Sequence, residues 1–188
     1  KSAFGSIVAL NRACSRIIAE HLTNVFIEIL IAPSYEPGVL EILYKKPNLR
    51  VLQFDVRTGY KDKFQYKYIN GGVLMQTSDN SLVDEHDLKI VTKKKPTLQE
   101  ITDLLFAWKV VKYVKSNAIV IARDKTTIGI GCGQVSRIDA VDIALRKTNN
   151  NLNGAVLASD AFFPFRDSID RINETGITAI IQPGGSMR

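Results

Sequence analysis

Long apolar runs are missing from this chain of 188 residues: no stretch of 18 or more apolar residues occurs, which excludes a membrane-spanning helix. Cysteine is scarce. Cys14 and Cys132 are the only two, too few and too far apart for a disulfide framework, so a reducing cytoplasm is the expected setting. No apolar signal segment follows Lys1. Histidine is as rare. His21 falls in a helical segment and His86 in a polar loop, and neither has the neighbours that catalysis by histidine needs. No cysteine–histidine cluster has metal-ligand spacing. The zinc-deaminase signature, the serine nucleophile elbow and the Walker A loop are absent. There is no internal repeat and no low-complexity linker.

What is present has an ordinary globular balance, 45% hydrophobic and 23% charged residues, in a length that suits one α/β domain or two small lobes. The formal charge is +6. Part of it sits at Lys93, Lys94 and Lys95, part at Lys109, Lys112 and Lys115. Such a surplus suits an anionic partner: nucleic acid, a nucleotide or a polyanionic cofactor. For residues 93–95 a solvated lysine face is the plainer reading.

Strand-type and helix-type segments alternate along the chain. Residues 4–10, 25–31, 49–54, 64–69, 73–76, 118–122, 126–130, 155–158 and 177–181 read as strands. Helices are expected over 12–22, 36–43, 97–115, from Ser136 onward, and around 164–174, with a loop over 56–63. Thr97 precedes Glu100 by three positions, the capping-box pattern. Leu98, Ile101, Leu105, Trp108, Val111 and Val114 predict a buried stripe on the longest helix. The polar stretch 78–96 separates two αβ blocks and is the expected lobe boundary.

Three segments carry chemistry. Lys115-Ser116-Asn117-Ala118 joins a helix to a strand, and Asn117 there can hold an amide or formyl oxygen; the competing reading is a helix C-cap. Residues 129–137 form a glycine-rich turn into a helix capped by Ser136. Its backbone N–H groups and Arg137 suit an anion, and a tight structural turn is the alternative. It does not match the dinucleotide fingerprint, because the third glycine is misplaced. Residues 158–167 place Phe162, Phe163, Pro164 and Phe165 between Asp160 and Asp167, a wall suited to a flat heterocycle that donates hydrogen bonds. The alternative is a core plug with Pro164 opening a helix. Residues 182–186 expose backbone after a strand and suit the same pocket.

Ser2-Ala3-Phe4-Gly5, Ile31-Ala32-Pro33 and these four segments follow one another in an order that resembles the AICAR transformylase domain of the bifunctional AICAR transformylase/IMP cyclohydrolase family, in its bacterial form. The resemblance covers essentially the whole chain. It implies a layered α/β fold like that of cytidine deaminase, in duplicated lobes and without zinc. It implies formyl transfer from 10-formyltetrahydrofolate to the 5-amino group of AICAR in de novo purine (IMP) biosynthesis, in a homodimer, with no nucleic acid and no membrane as partners. By the resemblance, Asn117 matches an active-site asparagine near the formyl group, and is expected to donate to the developing oxyanion. Arg137 matches an arginine of the cleft and Ile138 a neighbour of the folate ring. Phe162 and Pro164 match pocket-lining residues, Asp167 a carboxylate that binds the pterin, and Ser186 a further pocket residue. Asp160 stands where some members hold a potassium ion, although the other side-chain ligands of that ion differ here.

The resemblance also places the family's Lys-His pair, whose histidine is the expected general base, upstream of Lys1. It places an Arg-x-x-x-His motif beyond Arg188 and a cyclohydrolase domain upstream. The chain alone is therefore expected to be inactive. Ser6 stands where some members carry an aspartate that holds AICAR. Two other readings stay open: a catalytically silent nucleotide- or folate-binding module, and a basic RNA-binding domain. The second would want aromatics interleaved on a basic strand face, whereas the aromatics at 162–165 cluster in one loop.

Overall fold

The computed structural model describes residues 3–54, 62–148 and 151–185. The chain divides into two compact units, residues 1–80 and 81–188, in a mixed α/β architecture.

In the first unit, β1 (Ser6–Ala9), β2 (Ile27–Ala32) and β3 (Arg50–Gln53) form a parallel sheet in the order β1-β2-β3. Parallel neighbours need crossovers, and α1 (Arg16–Thr23) and α2 (Val39–Leu43) supply them. The expected start of α1 at residue 12 moves to Arg16, because the Ser15 side chain accepts a hydrogen bond from the Ile18 N–H and caps the helix there. Cys14, Ala19, Ile27, Leu30, Ala32, Val39 and Leu43 make the core. A hairpin of β4 (Phe64–Ile69) and β5 (Gly72–Thr77) follows. Gly71 turns it at a φ of 78°, a backbone conformation glycine adopts without strain. Most of the expected loop over 56–63 lies outside the described residues.

The second unit holds α3 (Leu98–Val111), β6 (Ile119–Arg123), β7 (Thr126–Gly131), α4 (Arg137–Arg146), β8 (Ala155–Ser159), α5 (Asp167–Asn173) and β9 (Ile177–Ile181). Its sheet runs β7-β6-β8-β9; β6 is antiparallel to both neighbours and β8 is parallel to β9. Successive strand residues face opposite sides. Val120, Ala122, Val156 and Ala158 therefore pack under α3, while Ile119, Ile121, Ala155 and Leu157 pack under α4 and α5. A sheet covered on both faces wants continuous apolar strands, which explains why β6 and β8 read as unbroken apolar runs.

Two sequence expectations change here. The capping box of α3 is present, with Thr97 and Glu100 bonded reciprocally, but its buried face is Asp103, Leu104, Ala107 and Val111, and Leu98 is exposed. A buried aspartate hid that face from the apolar pattern. Asp103 accepts hydrogen bonds from the backbone N–H groups of Asp124 (3.0 Å) and Lys125 (2.8 Å) and from Gln99 Nε2 (3.2 Å). It thereby holds the β6–β7 turn, whose two residues both have positive φ. Pro164 does not open a helix: α5 begins at Asp167, after the bends at 164–166.

Candidate functional site

The β8–β9 pair is parallel and β6 is antiparallel to it, so the C-terminal ends of β8 and β9 and the N-terminal end of β6 lie on one edge of the sheet. The register confirms it, with Ile119 opposite Ser159 and Ala158 opposite Ile181. Gly131, the last residue of β7, pairs with Ile119 at the same edge. Ligands of open α/β sheets bind beyond the carboxyl ends of parallel strands. Residues 115–118, 131–137, 159–165 and 182–185 all leave the sheet there.

Asp160 stitches three of these segments together. Its Oδ1 accepts from the Ala118 N–H (2.8 Å) and from Arg137 Nη1, and its own N–H donates to the Ala118 carbonyl (3.3 Å). Arg137 Nη1 also donates to that carbonyl, at 3.2 Å. Burial pushes the Asp160 carboxyl up, but hydrogen bonds from the Ser116 hydroxyl, Arg137 and Ala118, with the Arg137 charge, outweigh it and hold the group below its ordinary value. The carboxylate is thus ionised at neutral pH, opposite a buried guanidinium. Arg137 Nε is buried and has no hydrogen-bond partner among the described residues. Oδ1 already faces a guanidinium, and the described residues hold no group of three or more His, Cys, Asp or Glu suited to a metal. Asp160 Oδ1 is thereby taken up by the Ala118 N–H and Arg137.

Asn117 is half-buried and follows a cis peptide with Ser116. It does not stop a helix, since α3 ends at Val111 with Lys112 as its cap. Its Nδ2 donates to the carbonyls of Gln134 (2.8 Å) and Val135 (3.3 Å). Both partners are acceptors, so the amide can face only one way. The atom left for a ligand is Oδ1, an acceptor; this geometry does not offer the expected oxyanion donor. The first two glycines of residues 129–137 have another purpose than expected of a loop. Gly129 and Gly131 lie within β7, and a Cβ on either would run into the carbonyl of Ala144 or Ala140 on α4.

The aromatic loop alternates. Phe163 is buried in the core under α4 and α5, while Phe162, Pro164 and Phe165 are exposed. Gln182 Oε1 accepts from the Phe163 N–H at 2.9 Å, and Gly185 lies beside the Phe162 ring. The structure thus bonds Arg137, Asp160 and Ala118 together, with Asn117 next to Ala118 and tied to the 134–135 carbonyls, and with Phe162 and Pro164 in the loop that continues from Asp160. Ile138 is half-buried at the start of α4. Asp167 is exposed and bonds the adjacent Ser168 N–H at 2.6 Å; Arg166 pairs instead with Asp170, at 2.8 and 3.0 Å. Ser186 lies outside the described residues. Sequence reasoning marked residues 182–186 for their exposed backbone but missed the Gln182 side chain, whose bond no spacing marks. Two open depressions, of about 410 and 380 Å³, are lined by residues of α4, α5 and their loops, and by none of Asn117, Arg137, Asp160, Phe162 or Pro164. We place the site at the sheet edge, where the polar groups converge.

A family model described as the AICARFT/IMPCHase bienzyme matches residues 1–147. The chain belongs to that family. It is 52% identical over 187 residues to the bifunctional purine biosynthesis protein PurH of Oceanobacillus iheyensis, and 53% identical over 187 residues to the protein of the same name from Caldicellulosiruptor saccharolyticus. To that of Aquifex aeolicus it is 50% identical over 190 residues. Each match takes in 100% of this chain but only 36 or 37% of the relative's length. No helix among the described residues is long and apolar enough to cross a membrane.

Proposed function

We propose that this chain is part of the transformylase half of a bifunctional purine-biosynthesis enzyme, which moves a formyl group from 10-formyltetrahydrofolate to the 5-amino group of AICAR. The observation that carries this reading is the convergence of residues 115–118, 131–137, 159–165 and 182–185 on one sheet edge in a chain of that family. On the same reading, residues 81–188 are one lobe of a duplicated cytidine-deaminase-like fold. The parent protein is a homodimer of the cytoplasm, where two free cysteines persist, and its cyclohydrolase activity belongs to a domain outside this chain.

The AICAR amine is a poor nucleophile, because its lone pair is conjugated with the ring and carboxamide. Placement against the formyl carbon therefore carries much of the catalysis. Asn117 Oδ1 accepts one amine N–H and turns the nitrogen toward that carbon. As the new C–N bond forms, the amine proton leaves to a base outside this chain. The bond from the formyl carbon to folate N10 then breaks, and N10 takes a proton. Arg137 holds Asp160 and the Ala118 carbonyl, and so sets the sheet edge against which the substrates would lie. Phe162 and Pro164 wall the flat rings, and Asp167 accepts from the pterin N–H and exocyclic amine.

The test is formyl transfer by the parent protein, followed by folate absorbance. Asn117→Ala should lower kcat by about 10²-fold, the loss that comes with a misplaced reacting group. A kcat within about twofold of wild type would leave Asn117 as a brace of the 134–135 turn and no more.

A further inference from the structure

We infer that Gln182 is a positioning residue that sets the aromatic wall of the site through one hydrogen bond to the Phe163 amide. The inference rests on the transformylase reading for the ligand it names, but its geometry is independent of that reading. Phe162 and Phe163 are consecutive and point oppositely: the Phe163 ring is sunk in the core at 4% exposure, and the Phe162 ring stands out at 42%. The peptide between them decides where the Phe162 ring lies, because rotation of that peptide swings the outer ring while the inner one stays anchored. The N–H of that peptide is the donor that Gln182 Oε1 receives at 2.9 Å, from a residue 19 positions away.

The two ends of this bond are placed by the sheet. Phe163 follows β8 and Gln182 follows β9 directly, and Ala158 pairs with Ile181 across the parallel ladder. A residue one step beyond Ile181 therefore stands beside the chain leaving β8. On the near side, Asp160 is fixed to Ala118 and Arg137, and the Ser159 hydroxyl donates to the Ala161 carbonyl at 2.7 Å. Gln182 adds a hydrogen bond at the peptide between the two rings to a loop that Asp160 and the Phe163 ring also hold. Gly185, three residues on, has a φ of 108°, and a Cβ added there would reach the Phe162 ring, so the segment that supplies the acceptor also runs near that ring.

The requirement is for an acceptor, which separates this role from plain packing. Glutamine's amide oxygen meets it, a glutamate carboxylate meets it as well, and methionine keeps the length and loses the oxygen. In the full-length parent protein, Gln182→Met should raise KM for 10-formyltetrahydrofolate by about 3- to 10-fold, the equivalent of one net hydrogen bond. KM for AICAR should stay within about twofold. Gln182→Glu should return the folate KM to within about twofold of wild type. Hydrogen exchange of the peptide that spans residues 160–165 gives a second readout that needs no turnover: protection should fall in Gln182→Met and persist in Gln182→Glu. If wild-type protein transfers no formyl group, the functional reading fails and the exchange experiment still decides this one. Equal exchange in wild type and Gln182→Met, or a Gln182→Glu protein that behaves like Gln182→Met, would overturn the assignment.

Discussion

Strand β8 is buried end to end and β6 everywhere except Arg123, whereas in residues 1–80 the hairpin strands β4 and β5 contain no buried residue. The difference follows from coverage. Helices lie on both faces of the four-stranded sheet, so every side chain of its central strands meets protein. Among the described residues the hairpin has no third strand. The lesson is that the residues proposed for chemistry are placed on the best-buried framework: Asn117, Arg137 and Asp160 hang from the ends of buried strands and a buried helix turn.

The sharpest way to break that comparison is one methyl group in each sheet. Gly131→Ala puts a Cβ into the Ala140 carbonyl, and backbone cannot give way as a side chain can. It should cost about 3 kcal/mol or more, as severe overpacking does. Gly72→Ala in the hairpin meets nothing within 4 Å and should stay within about 0.5 kcal/mol of wild type. Urea denaturation of both proteins measures the gap, and equal midpoints would refute the account of the two sheets.

Asp103→Ala probes the same framework through a polar group. It removes the acceptor of two turn N–H groups at a site 1% exposed. A loss of about 2–3 kcal/mol is expected, the range for bonds to a buried charged group. A midpoint unchanged in denaturant would show that the turn residues Asp124 and Lys125 hold themselves.

Asp167 lies outside the buried framework and should show the reverse pattern. Asp167→Ala in the parent protein should leave stability nearly unchanged and weaken folate binding by about 1.5–3 kcal/mol, with AICAR affinity unaffected. Calorimetric titration with each ligand separately reads this. Equal losses for both ligands, or none for folate, would remove Asp167 from the pterin site.

Much of the framework was legible in the sequence because its signals are local. The apolar runs of β6 and β8, the Thr97–Glu100 box and the Ser136 cap each state an element within a few residues. The α3 face was misread because Asp103 is polar, and its partners at Asp124 and Lys125 are distant in sequence. Pro164 was misread because a proline that opens a helix and one that makes a bend look alike without the residues that follow. The segments of the site were legible one by one. Gln182 was not, because its acceptor matters only once β9 lies beside β8, and no periodicity reports a bond made between neighbouring strand ends.

The sheet order has a consequence for how the protein comes off the ribosome. Among the described strands of this sheet, β9 is made last and stands at the end of the order, beside β8. Asn117, Arg137 and Asp160 are synthesised well before Gln182, yet the aromatic wall proposed beside them waits for β9 to dock. A nascent chain that stops short of residue 177 would carry the polar cluster beside an unpaired β8 edge, apolar along its length and open to strand addition from another chain. The arrival of Gln182 beside the aromatic loop and protection of that edge are the same event.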